Sequence, residues 1–220
     1  GNLICRPARR ARTRLRGGAR LLVAHVGGTA EFSGARIRGV LNCGSATLGA
    51  NLHGRPSGPW LFAADEVSLP LTRVGGSVEI VRGRVRGVLD ASGARVESDL
   101  SVVLGRVGEA SLNGARAGND LNLSGTRIDR DLSLQNASAG GSLFLHPAQE
   151  GAHGVRCRVG GRAWLLGCAA GADLNLSGVS VGGDLVAQDA RVGRNVFARP
   201  MAGFRAEVEG DLVLSGAKVG

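Results

Sequence analysis

The sequence predicts an all-β fold, a right-handed parallel β-helix (β-solenoid) with about 22 residues per coil. Three observations predict it. Apolar residues recur at an interval of eleven, glycine recurs at a fixed place in that interval, and aromatic residues make up only 3% of the chain. A short fixed period indicates units that cannot bury their own apolar face and must stack on their neighbours.

Each eleven-residue unit has apolar or small residues at its first, third, sixth and eighth positions. Leu121, Leu123, Thr126 and Ile128 are one example. This spacing predicts two short alternating strands on either side of a turn. The units start at Ala30, Leu41, Leu52, Val78, Leu89, Leu100, Ala110, Leu121, Leu132, Leu143, Ala163, Leu174, Leu185, Val196 and Leu212.

Glycine distinguishes this interpretation from a helix, which an eleven-residue period also fits. The chain has 37 glycines, and each one inside a helix would cost on the order of 1 kcal/mol. The fifth position of the unit takes residues that tolerate a left-handed backbone, which predicts a corner there. These residues are Gly34, Gly93, Gly114, Gly125, Gly167, Gly178, Gly216, Asn136 and Asp189.

Two units supply four strands and four corners, enough for a four-sided coil. A second type of corner is predicted at Gly75-Gly76, Gly140-Gly141, Gly160-Gly161 and Gly182-Gly183. With coils about 4.8 Å apart, seven or eight of them would form a rod roughly 35 Å long. The right-handed sense follows from the general preference for right-handed crossovers between parallel strands.

The domain organisation is predicted as a basic cap or arm at residues 1–25 and one solenoid domain at 26–220. Insertions interrupt the repeat near 54–72, 146–156 and 199–205, all at the same corner of the coil. Loops leaving one corner of a solenoid often form its binding face.

Several units resemble the repeats of a known family. Gly183-Asp-Leu, Gly210-Asp-Leu-Val-Leu-Ser-Gly-Ala and Asp173-Leu-Asn-Leu-Ser-Gly are similar to repeats of large actinobacterial β-solenoid proteins, often catalogued as membrane-associated oxidoreductases. More distantly they resemble pentapeptide-repeat proteins, which implies a four-sided right-handed β-helix. The oxidoreductase label has no support in the residues, since there is neither a strand-Gly-x-Gly-x-x-Gly-helix unit nor a Cys-x-x-Cys, and no cofactor is expected.

Positive charge is the second signal, with a formal net charge of +9. Arginines crowd the first twenty residues, and others recur at the seventh position of the units. If two units form a coil, Arg84, Arg106 and Arg127 stack on one side, and Arg95 and Arg116 on the other. The candidate anion-binding residues are Arg6, Arg9, Arg10, Arg12, Arg14, Arg16, Arg84, Arg95, Arg106, Arg116 and Arg127.

An acidic column precedes the first position of many units. Like charges about 5 Å apart repel, so this column is the predicted counter-charge of the arginines. The alternative is an anion-binding face on which the arginines stay free. The column consists of Asp99, Glu109, Asp120, Asp131, Asp173, Asp184 and Asp211.

Other classes of site find little support in the sequence. His146, His153 and Cys157 match no closed zinc pattern. Cys43, Cys157 and Cys168 fall at interior positions, which predicts buried thiols rather than disulfides. No stretch is apolar and long enough for a membrane span, and cytoplasmic residence is the default expectation.

We therefore expect a non-enzymatic scaffold or protein-interaction element. Its final unit has no polar cap, so either the natural protein continues beyond it or the coil ends bind a protein partner or another copy. One alternative is a module that binds nucleic acid or another anionic surface, although the aromatic platforms used for single-stranded bases are missing. A second alternative is a polysaccharide-active enzyme of the parallel β-helix type. Such an enzyme needs carboxylates converging in a groove, and none stand apart from the regular column.

Overall fold

The structure is a computed structural model that describes residues 1–7 and 11–220. Within them there are strands and turns and no helix, and the strands pair in parallel to form a four-sided solenoid. Ala30 pairs with Leu52 and Val78 with Leu100, a step of 22 residues in each case. The predicted fold class, an all-β parallel β-solenoid with about 22 residues per coil, is therefore confirmed.

Nine strands stack on the first side of the solenoid, and we number the coils 1 to 9 from them. Eight steps of about 4.8 Å make the stack roughly 40 Å long. The strands of side 1 are Leu3–Ile4, Ala30–Glu31, Leu52–Gly54, Val78–Val81, Leu100–Val103, Leu121–Asn122, Leu143–Phe144, Leu174–Asn175 and Val196–Phe197.

Sides 2 and 3 belong to one sheet because four strands run around the corner between them. These are Arg36–Asn42, Ala63–Ser68, Arg84–Asp90 and Arg106–Ser111. The other strands of side 2 are Arg14–Leu15, Arg127–Ile128, Arg158–Val159, Ser180–Val181 and Glu207–Val208, and those of side 3 are Ala19–Arg20, Leu132–Ser133, Ala163–Trp164, Leu185–Val186 and Leu212–Val213.

Side 4 closes each coil with a second stack of nine strands. They are His25–Val26, Thr47–Leu48, Arg73–Val74, Arg95–Val96, Arg116–Ala117, Ser138–Ala139, Ala169–Ala170, Arg191–Val192 and Lys218–Val219. An antiparallel hairpin, Ala148–Glu150 with His153–Val155, projects from coil 7.

The interior is one continuous column of apolar side chains from the predicted unit positions. Leu121, Leu123 and Ile128 are at most 1% exposed, and Thr126 is fully buried with its hydroxyl donating to the carbonyl of Val102. Cys43, Cys157 and Cys168 are buried as predicted. Burying a Leu, Val or Ile side chain contributes roughly 1.5–3 kcal/mol, so this column supplies most of the driving force for folding.

The two types of corner require glycine for different physical reasons. At the fifth position the predicted glycines, with Asn136 and Asp189, all have φ between +55° and +70°, where a side chain is strained. At the second corner the constraint is space, because a Cβ on Gly140 would lie 2.1 Å from the carbonyl oxygen of Gly118 in the coil below.

The described part of residues 1–25 forms coil 1, whereas the sequence predicted a cap or arm distinct from the solenoid. Leu3 pairs with Ala30, Arg14 with Arg36 and Ala19 with Leu41. The period of eleven was hidden in coil 1 because residues 5–13 lengthen the interval between the strands on sides 1 and 2.

The insertions leave the corner between sides 1 and 2, as predicted, but the first is shorter than expected. Ala63–Ser68 is a strand in register with both neighbouring coils, so the loop covers residues 55–62 rather than 54–72. Residues 5–7 and 11–13 lie at this same corner of coil 1, between the strands Leu3–Ile4 and Arg14–Leu15. Corner loops therefore occur in coils 1, 3, 7 and 9.

Candidate functional site: the arginine columns and the loop corner

The arginines of side 2 form the predicted stack. Arg84 pairs in register with Arg106, and Arg106 with Arg127. Arg127 in turn pairs with Arg158 of the next coil, which extends the stack beyond the predicted residues. Outward side chains at the same register position lie about 5 Å apart, so side 2 carries a row of positive charge along the rod.

Side 4 carries a second row, in which Arg95 and Arg116 stack as predicted. Arg73 belongs to it too, since it pairs in register with Arg95. The sequence analysis missed Arg73 because the repeat register was lost in the predicted 54–72 insertion. Val74 is buried like Val96, one position after the arginine in each case. This shared pattern of an arginine followed by an interior valine would have identified Arg73.

The charge of side 2 is partly neutralised in coils 5 and 6. Asp129 accepts hydrogen bonds from the Nε atoms of Arg106 and Arg127, both at 2.9 Å. Partial burial raises the pKa of Asp129, but the hydrogen bonds and charges of the two arginines outweigh it and hold the pKa below its usual value. Two positive groups therefore share one carboxylate at this point of the stack.

The acidic column has a different role from the one predicted. Asp99, Asp120 and Asp131 each accept a hydrogen bond from a backbone N–H of the next coil, at 3.1, 2.7 and 2.8 Å. Asp173 and Asp184 do the same at 3.2 and 3.0 Å. The prediction that this column is the counter-charge of the seventh-position arginines is wrong, because its carboxylates hold successive coils together at a corner.

The ion pairs of the acidic column involve arginines from other positions. Arg130 pairs with Glu109 at 3.1 Å, Arg162 with Asp184 at 3.2 Å and Arg194 with Asp173 at 3.5 Å. Exposed pairs of this kind contribute about 0–1 kcal/mol each.

The arginines of the basic start are distributed around coil 1 rather than gathered in an arm. Arg14 and Arg16 are exposed on side 2, while Arg6 lies in the corner loop, where its carbonyl accepts a 2.8 Å hydrogen bond from the hydroxyl of Thr13. Arg9 and Arg10 lie outside the described residues. The side chain of Arg12 is instead partly buried against the protein.

Arg12 is the first of two arginine clasps that connect corner loops two coils apart. Its Nε donates to the carbonyl of Gly34 in coil 2 at 3.1 Å, and its Nη2 donates to the carbonyl of Leu61 in coil 3. Its guanidinium lies 5.7 Å from the ring centroid of Trp60. Burial lowers the pKa of Arg12, and the positive charges of Arg36 and Arg14 lower it further.

Arg156 repeats this geometry between coils 7 and 9. Its Nε donates to the carbonyl of Gly178 at 3.0 Å, its Nη2 donates to the carbonyl of Arg205 at 2.6 Å, and its guanidinium lies 5.7 Å from the ring of Phe204. The sequence does indicate that the loops contacted by Arg12 and Arg156 are alike. Arg55-Pro56 precedes Trp60 at the same spacing as Arg199-Pro200 precedes Phe204. Each clasp spans one coil that has no corner loop, coil 2 for Arg12 and coil 8 for Arg156.

The residues considered for metal binding are not brought together. Cys157 is buried and its Sγ faces the carbonyl of Leu123 at 3.4 Å, His153 is exposed on the hairpin, and His146 contacts the carbonyl of Pro147 at 2.6 Å. No group of three or more His, Cys, Asp or Glu is placed to hold a metal ion in residues 1–7 and 11–220.

Comparisons with protein-family models, curated proteins and solved structures found no match for this chain. In the part of the chain that the structure describes, no helix has the length and apolar character needed to cross a membrane. The functional argument therefore depends on the geometry of the coils and their surfaces.

Proposed function

We propose that this chain is a non-enzymatic structural scaffold that associates end to end, with coil 1 of one copy stacking on coil 9 of another. The observation that carries the proposal is the surface of coil 9. It exposes apolar side chains at unit positions that are buried in every interior coil, beside a row of strand edges.

The exposures in coil 9 contrast with the equivalent positions one coil below. Val196, Leu212 and Val219 are 37%, 53% and 53% exposed, whereas Leu174, Leu185 and Val192 are at most 5% exposed. Strand edges with unpaired N–H and C=O groups accept another parallel strand, which would cover these side chains. Covering each half-exposed side chain would contribute on the order of 1 kcal/mol.

Coil 1 offers an apolar partner at each of these places when the internal register is continued. Leu3 would lie on Val196, Ala19 on Leu212 and Val26 on Val219, since these residues hold the same unit positions. Leu21 would cover Leu214 in the same way. These coil 1 residues already contact the interior on their other side and are only partly buried.

Charge on side 2 is complementary across the same junction. Coil 9 has Glu207-Val208-Glu209 where coils 1, 2 and 4 have Arg14-Leu15-Arg16, Arg36-Ile37-Arg38 and Arg84-Val85-Arg86. In the continued register Glu207 faces Arg14, and Glu209 faces Arg16. Because Glu207 already pairs with Arg156 at 2.9 Å, Glu209 makes the larger contribution to this complementarity. Among the nine described coils, Glu207 is the only acidic residue at its position on side 2. The charge of side 2 therefore changes from positive to negative at coil 9, where the basic coil 1 of another copy would dock.

The junction differs from an internal step in one respect. Coils with corner loops are separated by at least one short coil within the chain, whereas coils 9 and 1 both carry a loop. We therefore expect the junction to be weaker than the internal steps and the association to depend on protein concentration.

The regular use of the carboxylates supports a scaffold rather than an enzyme. Asp99, Asp120, Asp131, Asp173 and Asp184 each accept a hydrogen bond from a backbone N–H of the next coil, a structural use that recurs along the rod. Glycoside hydrolysis requires two carboxyl groups roughly 5–10 Å apart and facing a common groove.

Sedimentation velocity at several concentrations and salt levels tests the proposal. Glu209→Arg should weaken association by charge repulsion, and Arg16→Glu should do the same. An equimolar mixture of these two variants should restore association, because both junctions between unlike copies then join opposite charges. Glu97→Arg, an equal change on an exposed residue of side 4, is the control. Monodisperse monomer of the unaltered chain at millimolar concentration, or association insensitive to Glu209→Arg, would overturn the proposal.

A further inference from the structure

The arginine stack of side 2 has a gap in coil 3. Ala63 pairs in register with Arg36 on one side and Arg84 on the other, so a methyl group stands between two long cationic side chains. The corner loop of the same coil rises beside this gap and places Trp60 against it. Together these residues enclose a cavity of about 400 Å³ that is open to solvent.

The size and lining of this cavity are typical of a small-molecule site. Ligand pockets commonly measure about 300–1,000 Å³ and combine apolar walls with a few polar groups. Ala63 and Ala64 form the floor, Trp60 and Leu61 form a wall, and arginines stand at both ends. The cavities beside the arginine row on side 4 have no aromatic wall.

Among residues 1–7 and 11–220, the arginines at the two ends of the cavity have no counter-ion. Among the described residues, neither Arg36 nor Arg84 has an acidic group within 4 Å, whereas Arg86 pairs with Asp65 at 3.4 Å. Asp65 is further engaged by the backbone N–H of Gly39 at 2.8 Å. The single carboxylate of the cavity is thus already neutralised.

The clasp adds positive charge to the same place. The side chain of Arg12 is held over Trp60 by the carbonyls of Gly34 and Leu61, neutral groups that leave its charge in place. Burial is the larger cause of the lowered pKa of Arg12, and the positive charges of Arg36 and Arg14 lower it further. An anion entering the cavity would relieve this repulsion.

We propose that this cavity, the Ala63 notch, binds a phosphate monoester that carries a small planar group. The phosphate accepts hydrogen bonds from the guanidinium groups of Arg36 and Arg84, whose planar forks suit phosphate oxygens. The planar group lies over Ala63 against Trp60, where its apolar surface leaves water. The gap at Ala63 supplies the space, because an arginine there would continue the stack and fill the cavity.

Fluorescence of Trp60 reports binding directly. The chain has two tryptophans, and Trp164→Phe leaves Trp60 as the only emitter. Phenyl phosphate is the probe, with inorganic phosphate and phenol as its two halves and phenyl sulfate as the sulfate ester. We expect a saturable change with phenyl phosphate, weaker binding of inorganic phosphate and of the singly charged sulfate ester, and none with phenol.

Three variants on this background separate a built site from general positive charge. Arg36→Gln with Arg84→Gln should weaken binding at least about tenfold, since hydrogen bonds to charged groups are lost. Arg95→Gln with Arg116→Gln removes equal charge from side 4 and should change affinity less than about twofold. Ala63→Arg adds positive charge but fills the notch, and should abolish binding.

The outcomes are distinct. Tighter binding by Ala63→Arg, or equal losses in the two double variants, would show attraction by net charge alone and overturn the proposal. Absence of any saturable change at low salt would overturn it as well. None of these results bears on end-to-end association, because the notch lies on the lateral surface of side 2 and not on the end face of coil 1 or coil 9.

Discussion

Replacing Arg156 by methionine tests the arginine clasps most directly, because methionine keeps much of the apolar stem and removes only the guanidinium. The variant loses hydrogen bonds to the carbonyls of Gly178, Val179 and Arg205, at 3.0, 3.2 and 2.6 Å, and the 2.9 Å ion pair with Glu207. The carbonyl of Val179 keeps a second donor, the backbone N–H of Glu207 at 2.9 Å. The buried Gly178 carbonyl is left without its side-chain donor.

The expected loss of local stability depends on which of these contacts are buried. A hydrogen bond from a charged donor is worth about 1.5–3 kcal/mol. The bond to Arg205 is exposed and the Val179 carbonyl keeps its second donor, so only the bond to the buried Gly178 carbonyl counts in full. The ion pair contributes little, because Glu207 is 58% exposed and solvent screens it. We expect a total near 2–4 kcal/mol, confined to coils 8 and 9 because each coil of a solenoid is stabilised by its neighbours.

Hydrogen exchange measured by mass spectrometry is the assay, since it reports local opening. Exchange of the amides in residues 199–210 should accelerate about 30- to 800-fold, while coils 3 to 5 should be unchanged. Arg158→Met is the matched control, because Arg158 is exposed on the adjacent strand. Equal acceleration in the two variants would refute the reasoning, and Arg12→Met should reproduce the effect in coils 2 and 3.

Three further predictions concern the corners, the thiols and the shared carboxylate. Gly140→Ala should lower the melting temperature by several degrees, since its Cβ would lie 2.1 Å from a backbone oxygen, whereas Gly17→Ala, with nothing within 4 Å, should be neutral. Burial raises the pKa of Cys43 and Cys157 to about 12 and that of Cys168 to about 11, so these thiols should stay unreactive toward a disulfide reagent at pH 8 until the protein unfolds; rapid native labelling would contradict this. Asp129 has a lowered folded pKa, so its stabilisation is complete above the unfolded pKa near 4 and is lost as pH falls through the lower folded value. The difference in melting temperature between the unaltered protein and Asp129→Asn should therefore be larger at pH 6 than at pH 2, and an equal difference would contradict the assignment.

Coil 1 shows where the sequence pattern fails. Its strands Leu3–Ile4, Arg14–Leu15 and Ala19–Arg20 are in register with coil 2. The apolar phase is kept by Leu3, Cys5, Leu15, Ala19, Leu21 and Val26. The residues between Ile4 and Arg14 lengthen the interval between these strands, and this conceals the period of eleven in coil 1.

The acidic column shows a second limit of prediction from the sequence. The period of Asp99, Asp120 and Asp131 was visible in the sequence, and so was the period of the arginines. Opposite charges at a common period suggested ion pairs. The aspartate side chains instead accept hydrogen bonds from backbone N–H groups of the next coil. The position of those N–H groups depends on the backbone geometry of the corner, which the pattern of charges in the sequence does not predict.

The period of eleven by itself determined the parallel stacking, the interior residues, the left-handed fifth position and the side on which each arginine row lies. It did so because a side chain's direction in a strand alternates regularly, and a repeat carries that alternation from coil to coil. Only the tertiary structure decided which charged groups meet, that Arg12 and Arg156 clasp loops two coils apart, and that Ala63 leaves a notch under Trp60. These features join residues 22 to 49 positions apart through loops that break the period, so their contacts depend on distances between coils rather than on phase within a unit.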